Sequence, residues 1–192
     1  MANKYLDTTL VDKAMIFAIN AHKNTERRGK GFPYVIHVME AVEIVATITN
    51  DAELLAAAAL HDTVEDTDVT IEQIRSEFGE RIARLVSSES ETVVEGLSET
   101  DSWRMRKQAA IDRLGKAPYD AKIVAMGDKL SNMRAIARDY HRDGDKLWSI
   151  FHAPNGKPDH EWHYRGLAEA LSDLSETEAH KEFSRLIDDV FN

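Results

Sequence analysis

Two adjacent residues, His61 and Asp62, stand at the end of a strongly apolar segment, Leu54 to Leu60. A charged side chain in such a place loses hydration and needs compensation, which a bound cation provides. His37 and Asp128 supply a second imidazole and a second carboxylate, the latter just after the apolar run Ile123, Val124, Ala125, Met126. Two imidazoles and two carboxylates suit Mn²⁺, Fe²⁺ or Zn²⁺, with positions left open for water and substrate. Taken singly, each reads more simply as structure: a hydrogen-bonded core His, or Asp128 paired with Lys129. The four together favour a metal site, and with it metal-assisted hydrolysis.

Glu65 and Asp66 follow one turn beyond the dyad, where a carboxylate can orient or deprotonate an attacking water. The simpler alternative is a solvated helix C-terminus. Carboxylates oppose the helix dipole there, which weakens that alternative. The loop before His37 holds Lys23, Arg27, Arg28 and Lys30 against the single acid Glu26. Arg grips phosphate bidentately or stacks on a base, so the loop is either a nucleotide clamp or a solvated charged face.

Helices must position these groups, because apolar residues recur at helical spacing almost throughout and no period-two pattern persists. The first helix is expected over Thr8 to His22, with Leu10, Val11, Ala14, Phe17, Ala18 and Ala21 on one face and Asp7 or Thr8 as cap. Others are expected over His37 to Ile48, over the segment capped by Asp51, after the capping box Thr70 to Gln73, and over Ile82 to Val86. Ser87 to Asp101 is polar and acidic and is expected to be a loop or lid. Helices resume over Ser102 to Leu114, Tyr119 to Tyr140, Asp159 to Leu174 and Glu178 to Phe191, with the run Pro154 to Pro158 as a separator. Only nine Gly and four Pro occur in 192 residues. The fold class is all-α, a bundle of about eight to ten helices, read as one domain with its core over about 10–140 and the C-terminal helices 159–191 packed on it.

Composition excludes several functions. Without Cys there is no disulfide, thiolate zinc site or cysteine nucleophile. A net charge of −10 opposes binding of DNA or RNA. No apolar run approaches a membrane span, and the N-terminus lacks a signal-peptide pattern, so a cytoplasmic protein is expected. Oligomeric state stays open.

The motifs "AHKNTERRGKGFPYVIH" (21–37), "ALHDTVEDT" (59–67), "FGERIARLV" (78–86) and "DKLSNMR" (128–134) resemble the HD phosphohydrolase superfamily, and within it the hydrolase domain of the RelA/SpoT alarmone enzymes. The resemblance is strong over about 10–138 and weak beyond. It implies a stand-alone small alarmone hydrolase that removes pyrophosphate from the ribose 3′ position of ppGpp- or ppApp-type nucleotides, usually with Mn²⁺. It implies His37, His61, Asp62 and Asp128 as metal ligands, and Glu65 with Asp66 as the residues that handle water. Arg27 and Arg28 would meet base and phosphates, Lys107 a phosphate and Asn132 the ribose, while Tyr164 would be a pocket aromatic.

The chain departs from the family pattern at "SSESE" (87–91), which replaces a Val-Thr-Lys type segment, and at Val38, where a Pro is usual. Trp148 and Trp162 are expected in the core. His160 and His163 stand at a spacing that metal ligands could use, but with His152 and His180 they read as surface residues. Two other functions stay open: an HD phosphohydrolase of nucleoside monophosphates or NADPH, and a nucleotide sensor without catalysis. The intact ligand and acid residues argue against the sensor.

Overall fold

The computed structural model describes residues 7–89, 96 and 98–192. Among them are ten α-helices and no strand, the all-α architecture that the periodicity predicts. The chain divides into two compact units, residues 1–90 and 91–192.

The first unit is built around α3 (Ala52–Leu60), against which α1 (Thr9–Ala21), α2 (Val35–Ala46) and α6 (Glu80–Glu89) pack. Leu54, Ala56 to Ala59 and Leu60 are all buried, because a helix apolar on every side is stable only when surrounded. Its cap is the expected one: the Asp51 carboxylate accepts from the Glu53 amide at 2.9 Å. Between α1 and α2 the basic loop folds back through a bridge between Glu26 and Pro33. Gly29 and Gly31 take φ of +68° and +72° there, a left-handed conformation that suits glycine. Beyond α4 (Thr63–Asp66), α5 (Ile71–Phe78) opens on the capping box formed by Thr70 and Gln73.

Two local readings of this unit need correction. Glu65 and Asp66 are not the C-terminus of the helix that carries Leu54 to Leu60; α3 ends at Leu60 and they close the separate single turn α4. The dipole argument therefore lapses, since in one turn the first and last residues are the same ones. Ser87 to Glu89 belong to α6 rather than to a loop. Ser88 Oγ donates to the Leu85 carbonyl at 2.6 Å, which satisfies the hydroxyl without leaving the helix. The lid reading otherwise falls on residues 90–95 and 97, outside the described residues.

The second unit contains α7 (Glu99–Gly115), α8 (Tyr119–Asp143), α9 (Lys157–Ala170) and α10 (Glu178–Phe191). Here α7 packs on α9, and α10 packs on both α8 and α9. Glu99 to Asp101, expected in the loop, open α7 behind the cap Ser98, whose hydroxyl accepts from the Asp101 amide at 3.1 Å. Pro158 does not separate helices but lies in the first turn of α9, where its missing N–H is not needed. The last expected turn of that helix is instead the 3₁₀ segment Ser172–Leu174, and a further 3₁₀ segment, Gly144–Ile150, follows α8.

His160 and His163 are buried, contrary to the surface reading. Helical spacing places them on one face, but α7 covers that face: the Trp103 ring lies 5.4 Å from His160 and 5.9 Å from His163. His180 is half-buried, with Nε2 3.0 Å from the Ala168 carbonyl, and His152 is exposed as expected. Trp148 is in the core as expected, while Trp162 is half-buried under the Arg104 guanidinium, 4.4 Å from its ring.

Candidate metal centre

Two helix ends of the first unit bring the imidazoles together. His37 lies in the first turn of α2, and His61 follows the last residue of α3, where the chain leaves the helix and turns Asp62 to the same side. Both imidazoles are buried, and their rings meet edge to face at 5.3 Å. His61 Nδ1 lies 2.8 Å from the Ala58 carbonyl. A carbonyl only accepts, so Nδ1 carries a proton, and in the neutral ring Nε2 then presents a lone pair. That Nε2 is 2.8 Å from Asp62 Oδ2, and His37 Nε2 approaches the same oxygen at 3.4 Å.

A lone pair held against a carboxylate oxygen at that distance is repulsive unless a proton or a cation lies between them. The ligand atoms of His37, His61 and Asp62 fall within 4.8 Å of one another. Borderline nitrogen donors beside a hard oxygen donor are the set that divalent first-row metals prefer, so these residues fit a metal.

Tyr34, one turn before His37, was not singled out in the sequence. Its hydroxyl donates to Asp62 Oδ2 at 2.7 Å. Its ring is stacked on His22 at 4.9 Å and meets His37 edge-on at 5.6 Å. Burial and the neighbouring Asp62 charge raise its pKa, so the hydroxyl stays a donor. His22 is itself buried, with neither ring nitrogen hydrogen-bonded, and desolvation lowers its pKa. The spacing of Tyr34 to His37 was the available signal, since residues three apart share a helix face.

The guanidinium of Arg27 lies over the Tyr34 ring at 5.0 Å, which brings the basic loop to the centre, and Arg28 is exposed. Glu65 and Asp66 are exposed on α4. Asp66 opens onto a cavity of about 420 Å³ whose walls include Thr25, Thr67, Asp68 and Gln73.

In the second unit, Asp128 is buried on α8 with both oxygens engaged. Asn132 Nδ2 donates to Oδ1 at 2.5 Å and Lys129 Nζ to Oδ2 at 2.6 Å, so the pairing with Lys129 is present. Lys107 is half-buried on α7. Burial chiefly, then the charge of Lys107, lowers the pKa of His160 to about 4 and that of His163 well below its ordinary value. Tyr164 is buried, its ring 6.1 Å from Phe183 and 6.3 Å from Phe191.

Residues 14–156 match the family model of the HD domain. Over 135 residues the chain is 35% identical to guanosine-3′,5′-bis(diphosphate) 3′-pyrophosphohydrolase MESH1 of Danio rerio, covering 68% of this chain and 71% of that one. Over 127 residues it is 32% identical to a probable guanosine-3′,5′-bis(diphosphate) 3′-pyrophosphohydrolase of Synechocystis, covering 66% of this chain but only 17% of that much longer protein. Its fold is shared with a metazoan orthologue of SpoT described as hydrolysing ppGpp, with a TM-score of 0.71, 21% identity, and coverage of 96% of this chain and 97% of that one. HD-domain hydrolases are metal-dependent, and a His/Asp cluster able to hold a metal is present. The match across most of the chain and the convergence of His37, His61 and Asp62 lead to one assignment: the chain belongs to the HD-domain family, in the branch that includes the MESH1 proteins.

Proposed function

We propose that this chain is a cytoplasmic, Mn²⁺-dependent 3′-pyrophosphohydrolase of guanosine 3′,5′-bis(diphosphate) and related (p)ppGpp- or (p)ppApp-type nucleotides. The observation that carries the reading is the convergence of His37 and His61 on Asp62, in a chain 35% identical to the MESH1 protein of Danio rerio. The HD-domain match runs from residue 14 to residue 156 and so through both units, which supports treating residues 1–192 as one hydrolase domain.

His37, His61 and Asp62 hold the metal, with Asp128 as fourth ligand by its place in the "DKLSNMR" motif. When bound, a divalent cation of this kind acidifies water and draws charge from a phosphoryl oxygen. Glu65 and Asp66 orient the attacking water and take its proton, and the exposure of Asp66 on its cavity lets that proton pass to solvent. Water adds at the phosphorus joined to the ribose 3′ oxygen; that oxygen leaves with a proton and pyrophosphate is freed. By their places in the family motifs, Arg27 and Arg28 receive the base and phosphates, Lys107 a phosphate and Asn132 the ribose, while Tyr164 is the pocket aromatic.

The test is chromatography of ppGpp, pppGpp, ppApp, pppApp, NADPH and deoxynucleotides after incubation with Mn²⁺-loaded protein, beside the Glu65→Ala, Asp66→Ala double variant. Release of pyrophosphate from alarmones, slower by about 100-fold or more in the double variant, is the expected result. Turnover of NADPH or monophosphates alone would keep the site and replace the substrate. Binding without turnover would make the protein a sensor.

A further inference from the structure

We propose that Tyr34 is a positioning residue that holds the Asp62 carboxylate in its ligating pose and carries Arg27 on its ring, so that one side chain sets both the metal and the substrate anion. This rests on the metal and nucleotide reading above.

Asp62 lies between the regular turns of α3 and α4, so no helix backbone holds it on both sides. His61 is fixed by its bond to the Ala58 carbonyl, and His37 by its place within α2. The bond from the Tyr34 hydroxyl supplies the corresponding restraint for the carboxylate. It occupies one lone pair of Oδ2, and a carboxylate has further acceptor sites with which to ligate a cation. A ligand's outer partner of this kind typically changes metal affinity by about 10- to 100-fold.

Tyr34 is well placed for the task because its own position is over-determined. Its amide donates to the Thr25 carbonyl at 2.8 Å, and its carbonyl accepts from the His37 amide at 2.9 Å. One ring face is stacked by His22, and His37 closes the edge. The loop that presents Arg27 is thus tied, through the same ring, to a ligand 28 residues further along the chain. Phe would preserve every ring contact and lose only the hydroxyl bond, whereas Leu would remove the platform for Arg27 as well.

Calorimetric titration of the metal-free protein with Mn²⁺, followed by steady-state kinetics on ppGpp at saturating Mn²⁺, separates the two roles. Tyr34→Phe is expected to bind Mn²⁺ about 10- to 100-fold more weakly, with KM for ppGpp unchanged once metal is saturating. Tyr34→Leu is expected in addition to raise KM by about two- to fivefold, the value of a cation–π contact. Wild-type Mn²⁺ affinity in Tyr34→Phe would overturn the proposal, and so would an unchanged KM in a folded Tyr34→Leu. Should the leucine variant fail to fold by circular dichroism, the phenylalanine titration decides alone. If the wild type itself bound no Mn²⁺, the metal reading would fall together with this one, an outcome distinct from failure of Tyr34 alone.

Discussion

His61 Nε2 lies 2.8 Å from Asp62 Oδ2, the oxygen that also accepts from the Tyr34 hydroxyl. Asp62→Asn would remove the negative charge from that oxygen. It should therefore weaken Mn²⁺ binding by at least about the tenfold that second-sphere changes cause. Calorimetric titration of the metal-free variant with Mn²⁺ checks it. His37, His61 and Asp62 were legible in the sequence because helix ends beside apolar segments are poor places for such residues without a use for them. Tyr34 was not legible, because its bond to Asp62 joins positions 28 apart and exists only once the loop has folded back. His160 and His163 were misread because a spacing of three says that two residues share a face, not what covers it.

Among the elements, α3 depends most on its first residues. Asp51 caps the helix and also accepts from Arg81 Nη1 at 2.8 Å, a guanidinium that Glu53 shares at 2.6 Å. Asp51→Ala should lower stability by about 1–2 kcal/mol, read as a shift in urea midpoint without change of slope. The starts of α3 and α5 could be placed from sequence because Asp51 and Thr70 act on amides two or three residues away. The start of α9 could not: Gly156, at φ +60°, rather than either proline marks its boundary. Nor could the end of α6, because serine tolerates both loop and helix and only the bond to Leu85 decides between them.

At the scale of the molecule, stability should depend on acid and on metal. His160 and His163 stay neutral when folded, whereas in the unfolded chain they regain the ordinary value of 6.5. Below that pH the unfolded state binds protons the folded state refuses, so stability holds above about 6.5 and falls as the pH drops towards 4. His160 alone contributes roughly 3 kcal/mol to that loss. Urea midpoints between pH 7.5 and 4.5 should decline, and His160→Phe should flatten the decline. Mn²⁺ at a hundredfold excess over its Kd should add about 2.7 kcal/mol at neutral pH, seen as a higher melting temperature that a chelator reverses. The four alanines of α3 set a different limit. Ala56 to Ala59 are at most 1% exposed, so a larger side chain at any of them has to be accommodated inside the packed core, where added volume is destabilising. In a saturation mutagenesis screen these four consecutive positions should form a block that admits little beyond Gly, Ala and Ser, and drift in the first unit will be channelled away from its centre towards its outward faces.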